Sequence, residues 1–318
     1  MAALRSSGTW GSALTADEFA AIRSVGFEPV GQVFGAAVYD AGAAIGYSCP
    51  GASGASGASG VPGALVAPGA PPSSGRRAPT GSATRVSGQG GAGSFGPLVQ
   101  AMDQARHTAV DRLITECAQL GGHGVVGVHV SRGSFLGATQ FTVIGTAVRA
   151  PGAAHGRSAP FASDLSGQDF AKLIRAGWVP VGLALGLSIG SRHDDRDTTR
   201  QARWTSGNAE IAGWTELVGQ SRHDARCQLE TDVSRLGAEG VVIAAMPMRV
   251  RQRDCPATVG RRDHIVETSL IGTAVARFAK ADQRADGPPL AIMSLDPQRR
   301  QAARIRLQEA TRSRGWDR

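Results

Sequence analysis

Residues 120–130 read LGGHGVVGVHV, and residues 236–246 read LGAEGVVIAAM. In the first stretch Gly122, Gly124 and Gly127 have the G-x-G-x-x-G spacing, which in a dinucleotide-binding domain follows a strand and opens a helix. Here the order is reversed. An amphipathic run ends at Leu120 and a valine-rich run begins at Val125, so the glycines mark a helix stop and the start of a strand. The second stretch breaks the motif, with Ala238 and Ile243 in place of Gly122 and Gly127. What the two share is Leu-Gly, a second Gly and Val-Val. Gly121, Gly124, Gly237 and Gly240 are therefore read as structural turn residues, and no cofactor is called for.

The likeness extends in both directions. FAAIRSVGFEPVGQVFG (19–35) matches FAKLIRAGWVPVGLALG (170–186), and VIGTAV (143–148) matches LIGTAV (270–275). ARHTAVDRLITECAQLGGHGVVGV (105–128) matches SRHDARCQLETDVSRLGAEGVVIA (221–244). Matches that keep their order are the mark of an internal repeat. Their offsets are 151, 116 and 127, and the first change places about 35 extra residues within 49–96. That tract repeats Gly-Ala-Ser and is rich in Pro, too poor in apolar surface to offset its ordering entropy, so it is expected to be disordered. The predicted organisation is a first domain over 1–149, a linker over 150–164, a second domain over 165–280, and a tail over 281–318 with a basic helix at about 296–313.

Thr15 with Glu18 three residues on predicts a capped helix ending at Gly26. A strand follows over EPVGQVFGAAVYD. Leu98, Met102, Ala105, Ala109, Leu113, Cys117 and Leu120 recur at spacings of 3 and 4, which makes 97–120 an amphipathic helix. Trp214, Val218, Ala225, Leu229, Val233 and Leu236 repeat that stripe. VVGVHV and FTVIGTAV predict a hairpin. The fold class is thus α+β, two homologous α-β-α-β-β domains in tandem.

A long helix opening with Ala105-Arg106, then Leu120-Gly121 with Val125-Val126-Gly127, then Gly145-Thr146-Ala147-Val148, resembles the YbjQ-like family, which is labelled heavy-metal-binding. In the second copy Arg222, Leu236-Gly237-Ala238, Val241-Val242 and Gly272-Thr273-Ala274-Val275 stand in the same places. The resemblance implies a small α+β domain, related to dodecin-like subunits, that closes rings through its sheets, with no established enzyme activity. His107 and His223 stand where the family has Glu, and His123 and Glu239 where it has Asn.

Arg106 and Arg222 each fall on the apolar stripe of their helix, with Glu116 and Asp232 on its edge. A charge on a packing face needs a partner, but Arg106 and Glu116 lie about 15 Å apart along the helix and cannot pair. A ligand contact between subunits is one reading; a structural ion pair is preferred, because Arg suits interface pairs. His107 and His223 lie off the stripe and are read as solvated, with a pH-sensitive or metal contact across an interface as the alternative. Cys117, His123 and His129 are metal-ligand candidates, with Cys255 and His264. None recurs, His129 points to the opposite sheet face, and Cys117 suits a small core position.

The net charge is +8, and almost all of the basic residues are arginines, spread along the chain. Such spreading argues against a nucleic-acid footprint without excluding one. The longest apolar run, Val179–Gly190, is about 12 residues, against about 20 for a membrane span. Four cysteines without a C-x-x-C pair, and an N-terminus without an apolar core, predict a cytoplasmic protein. No catalytic constellation is recognisable. The expectation is a non-enzymatic, oligomer-forming module that binds a small ligand or protein partner, as a homo-oligomer or a pseudo-symmetric ring. The alternatives are a heavy-metal-binding protein and an anion or nucleic-acid binder acting through the arginine-rich C-terminal helix.

Overall fold

The computed structural model describes residues 11–40, 84–89, 95–151, 159–203, 207–255 and 260–277. The helix expected at about 296–313, most of the tract 49–96 and part of the linker 150–164 lie outside the described residues. The elements are α1 (Ala16–Ser24), β1 (Glu28–Tyr39), β2 (Thr84–Val86), α2 (Gly96–Gln119), β3 (Gly124–Phe135), β4 (Ala138–Arg149) and β5 (Phe161–Ala162). They continue as α3 (Gly167–Arg175), β6 (Trp178–His193), α4 (Arg196–Gln201), α5 (Ala212–Arg235), β7 (Gly240–Ala245), β8 (Met248–Asp254) and β9 (Arg262–Arg277). The fold is mixed α+β.

Local chemistry sets the helix ends. Thr15 accepts from the Glu18 amide at 3.3 Å while Glu18 accepts from the Thr15 amide at 2.9 Å. Ser166 caps α3 in the same way, accepting from the Asp169 amide at 3.1 Å. Gly121 and Gly237 take φ of 70° and 66° just past α2 and α5, the left-handed turn that favours glycine.

The strands form two sheets, β1-β4-β3-β5 and β2-β6-β9-β7, with β8 also paired to β9. Their registers correspond. Pro29 pairs with Val148 and Gly31 with Ala147 across one bulge; Pro180 pairs with Val275 and Gly182 with Ala274 across another. A Cβ on Gly35 would lie 2.0 Å from the Ala109 carbonyl, and one on Gly186 2.2 Å from the Ala225 carbonyl. These two glycines let α2 and α5 lie close on β1 and β6.

The layers run first sheet, α2, second sheet, α5. One core cluster joins Val33, Ala109, Leu113 and Val143 of the first sheet and its helix to Leu183, Leu185, Leu187 and Ile189 of β6. Alternate residues Ala184, Gly186 and Ser188 face α5. β6 is therefore covered on both faces, which is why its sequence is a continuous apolar run. Among the described residues β1 is covered on one face, and Phe34 and Val38 on the other are each 50% exposed.

Two expectations are corrected. Residues 84–89 lie in the tract read as disordered, yet Thr84–Val86 pairs with Gly190–Arg192 of β6. The cause is side-chain anchoring: Arg192 reaches Thr84 at 2.6 Å, and Ser87 reaches Asp224 at 2.8 Å. Phe161–Ala162, in the segment read as linker, pairs in parallel with Gly124–Val125 and extends the first sheet.

Candidate functional site

The residues singled out on the two long helices do not end in equivalent surroundings. α2 carries Val99, Met102, Arg106 and Val110 at spacings of 3 and 4, and this face lies against β6. Arg106 is 2% exposed. Its Nη1 donates to the Gly186 carbonyl at 3.4 Å and its Nη2 to Ser269 Oγ at 3.1 Å. Burial lowers its pKa, while Asp103, Glu267 and Asp232 nearby act in the opposite direction. Arg222, expected on a packing face of α5, is exposed instead. Among the described residues α2 has a second sheet above it and α5 has none.

His107 was expected to be solvated; it is half-buried. Its Nδ1 meets the Asp103 carbonyl at 3.0 Å, and its Nε2 meets the two Asp232 oxygens at 3.2 and 3.1 Å. With acceptors at both nitrogens the ring is an imidazolium, and bonding to Asp103 and Asp232 raises its pKa to about 10 despite burial. Asp232 also accepts from the Leu185 amide at 2.9 Å and from Arg235 at 2.7 Å. Although burial opposes it, this set of donors holds the carboxylate below its usual range. Glu116 has one of these roles, accepting from the Phe34 amide at 2.7 Å. His223 is exposed, as read from the sequence.

Beside Arg106 the two halves leave a cleft. A cavity of about 530 Å³ has an apolar floor that includes Tyr39, Phe95, Met102 and Ile265. Arg132, Arg249, Arg251 and Arg253 rim it, with Glu267 2.7 Å from Arg132. Arg253 lies 3.7 Å from Asp263, so Arg249 and Arg251 are the rim cations without an ion-pair partner among the described residues, and they favour an anionic occupant with an apolar part. The sequence reading missed this site. The available signal was MRVRQRD at 248–254, where arginines at every second position share one face of a strand.

Cys117, His123 and His129 do not converge. Cys117 is buried, donates to the Gly124 carbonyl at 3.3 Å, and has its pKa pushed up to about 11 by desolvation, so it stays a thiol. His123 Nδ1 accepts from the Ala150 amide at 3.0 Å. His129 is exposed on the far face of the first sheet. Cys255 alone of the candidates meets other ligands, and these were not singled out from the sequence: one ligand atom each from His193, Cys255 and Asp263 lie within 4.8 Å of one another. His193 and Asp263 are register partners on β6 and β9, with Nδ1 2.9 Å from Oδ1. Nitrogen, sulfur and oxygen donors in a largely buried site suit a zinc-like ion. No helix among the described residues is long and apolar enough to cross a membrane.

Comparison with known proteins places part of this architecture. The chain is 28% identical to an encapsulin nanocompartment protein of Mycobacterium tuberculosis over 283 residues, which span 85% of this chain and 87% of that protein. No solved structure matches. Residues 87–151, which hold α2 and the β3–β4 hairpin, match the family described as "Putative heavy-metal-binding". His193, Cys255 and Asp263 lie outside that stretch, and among the described residues no three potential ligands within it come together. The match at 87–151 supports the YbjQ-like family as the source of the α2–β3–β4 unit.

Proposed function

We propose that the chain is a non-catalytic, oligomer-forming binding module built from two copies of one α-β-α-β-β unit. The duplication reading is supported pair by pair. Ser12 bonds Thr146 at 3.3 Å as Ser163 bonds Thr273 at 3.0 Å. Glu116 takes the Phe34 amide as Asp232 takes the Leu185 amide. The observation that carries the functional reading is the burial of Arg106 between the two sheets. The most distinctive charged group of the unit holds one copy against the other, and so acts in association. The name of the nanocompartment relative agrees with self-assembly. The arginine-rimmed cleft holds the ligand or acidic partner segment. Among the described residues Cys117, Cys227 and Cys255 form no disulfide, which suits a reducing, cytoplasmic setting. Sedimentation velocity of the purified chain tests the reading: several copies per particle are expected, and a monomer at micromolar concentration contradicts it.

A second reading is favoured by one observation, the His193, Cys255 and Asp263 cluster. There a soft divalent ion would be held by the second unit. Elemental analysis of tag-free protein checks it: stoichiometric zinc or copper, lost in Cys255→Ser, supports it, and metal-free protein with no thermal shift on adding either ion removes it.

A further inference from the structure

The contact between the two halves has two sides, and each side has a counterpart elsewhere in the chain that is uncovered among the described residues. One side is the α2 face with Arg106 and His107. Its counterpart on α5 carries Arg222 and His223, both exposed. The other side is the outer face of β6, with Leu185 and Ile189 buried under α2. Its counterpart on β1 carries Phe34 and Val38, each half exposed.

The receptors for the helix groups are repeated too. Arg106 donates to the Gly186 carbonyl, and Gly35 is the matching glycine of β1, with the same close approach to its helix. His107 meets Asp232, which is anchored on the Leu185 amide; Glu116 is anchored in the same way on the Phe34 amide. The edge strand follows suit. Ser163 donates its amide to the Val125 carbonyl at 2.9 Å, which ties the second half to the edge of β3. The counterpart edge on β7 has no strand beside it among the described residues, and an open edge is a template for pairing. The segment around Ser12 is the counterpart of the one that would fill it.

We propose that a second copy of this chain docks head to tail on the first. α5 of one copy lies on the outer face of β1 of the next, with Arg222 on the Gly35 carbonyl and His223 on Glu116. The segment around Ser12 of that next copy pairs with the β7 edge of the first. The contact repeats the one already present inside the chain, so it is heterologous: each copy offers a helix face at one end and a sheet face at the other, and a chain of such contacts grows until it closes. This rests on the self-association proposed above, and names the surfaces and the partner.

The experiment uses the full chain and two surface variants, Phe34→Asp, which spoils the sheet face, and Arg222→Glu, which spoils the helix face. Both positions are exposed, and circular dichroism with the melting temperature checks that the folds survive; Val38→Lys and His223→Asp serve the same purposes on the same faces. Light scattering is expected to give an oligomer for the natural chain and a monomer for each variant alone. An equimolar mixture is expected to give a one-to-one dimer that grows no further, because one intact helix face and one intact sheet face remain. A monomeric natural chain overturns both the self-association and this contact. An oligomeric natural chain whose variants keep their mass overturns only the contact, as it would if the chain's own tail covered β1. Variants that dissociate but do not complement on mixing contradict the head-to-tail arrangement.

Discussion

His107 and Asp232 stand 125 residues apart in the chain, on helices of different halves, yet Nε2 of one lies 3.1 Å from a carboxylate oxygen of the other. The pair sits where α2 crosses the β6 surface. It joins the packing of the two sheets to the charge state of one imidazole.

That linkage has a definite sign. The His107 pKa is raised to about 10 in the fold, so its contribution is complete below its ordinary value near 6.5 and fades as pH rises through about 10. Asp232 is lowered, so its contribution is complete above its ordinary value of 3.8 and fades as pH falls through its depressed value. Thermal melts are expected to give a plateau between about pH 4 and 6.5 and a decline above it that levels off past about pH 10. His107→Gln should lose about 2 kcal/mol at pH 7 and flatten that alkaline limb. A variant that melts like the natural chain at both pH 7 and pH 10.5 contradicts the ion pair.

Arg106 and Arg222 occupy matching helix positions and should behave differently. In the dissociated Phe34→Asp background, Arg106→Ala leaves buried acceptors on Gly186 and Ser269 and should cost about 3 kcal/mol. Arg222→Ala in the same background should cost less than about 0.5 kcal/mol. Urea unfolding midpoints measure both, and equal costs would contradict the unequal burial.

Gly186→Ala is expected to be among the most damaging single methyl additions. The new Cβ would lie 2.2 Å from the Ala225 carbonyl, a backbone atom that cannot step aside without moving α5 off β6. A loss of about 3 kcal/mol is anticipated, read as a lower melting temperature. Gly133→Ala is the control, since a Cβ there meets nothing within 4 Å.

The arginine-rimmed cleft should take up an amphipathic anion. An anilinonaphthalene sulfonate dye is expected to bind the native chain and to weaken as salt rises. Arg251→Glu should weaken it several-fold without lowering the melting temperature. Dye binding unchanged in Arg251→Glu and in Arg132→Ala would place the dye elsewhere.

Much of this fold was legible because it is local. The 3-and-4 spacing of Leu98 to Leu120, the Thr15–Glu18 cap and the stops at Gly121 and Gly237 are properties of short segments. The site was less legible because it is made by segments that are far apart. Arg106 and Arg222 have nearly the same neighbours in sequence; only the layering puts a sheet over one of them. His107 looked solvated because a helical wheel shows a single buried stripe, whereas α2 is buried on two sides. The run Val179–Gly190 carried the missing clue, since a strand with no polar face must be covered twice. Residues 84–89 escaped notice because their order comes from Arg192 and Asp224, more than 100 residues on. His193 and Asp263 meet only through the β6–β9 register, and no spacing rule finds such a pair.

The central claim is that the chain repeats its own internal contact with its neighbours. An experimental structure of the assembled particle tests this most directly, through the distance from the Arg222 guanidinium of one copy to the Gly35 carbonyl of the next. The account predicts hydrogen-bond reach, within about 3.5 Å, with Phe34 and Val38 buried beneath α5. Arg222 in solvent, with the outer face of β1 bare or covered by any other segment, would contradict it.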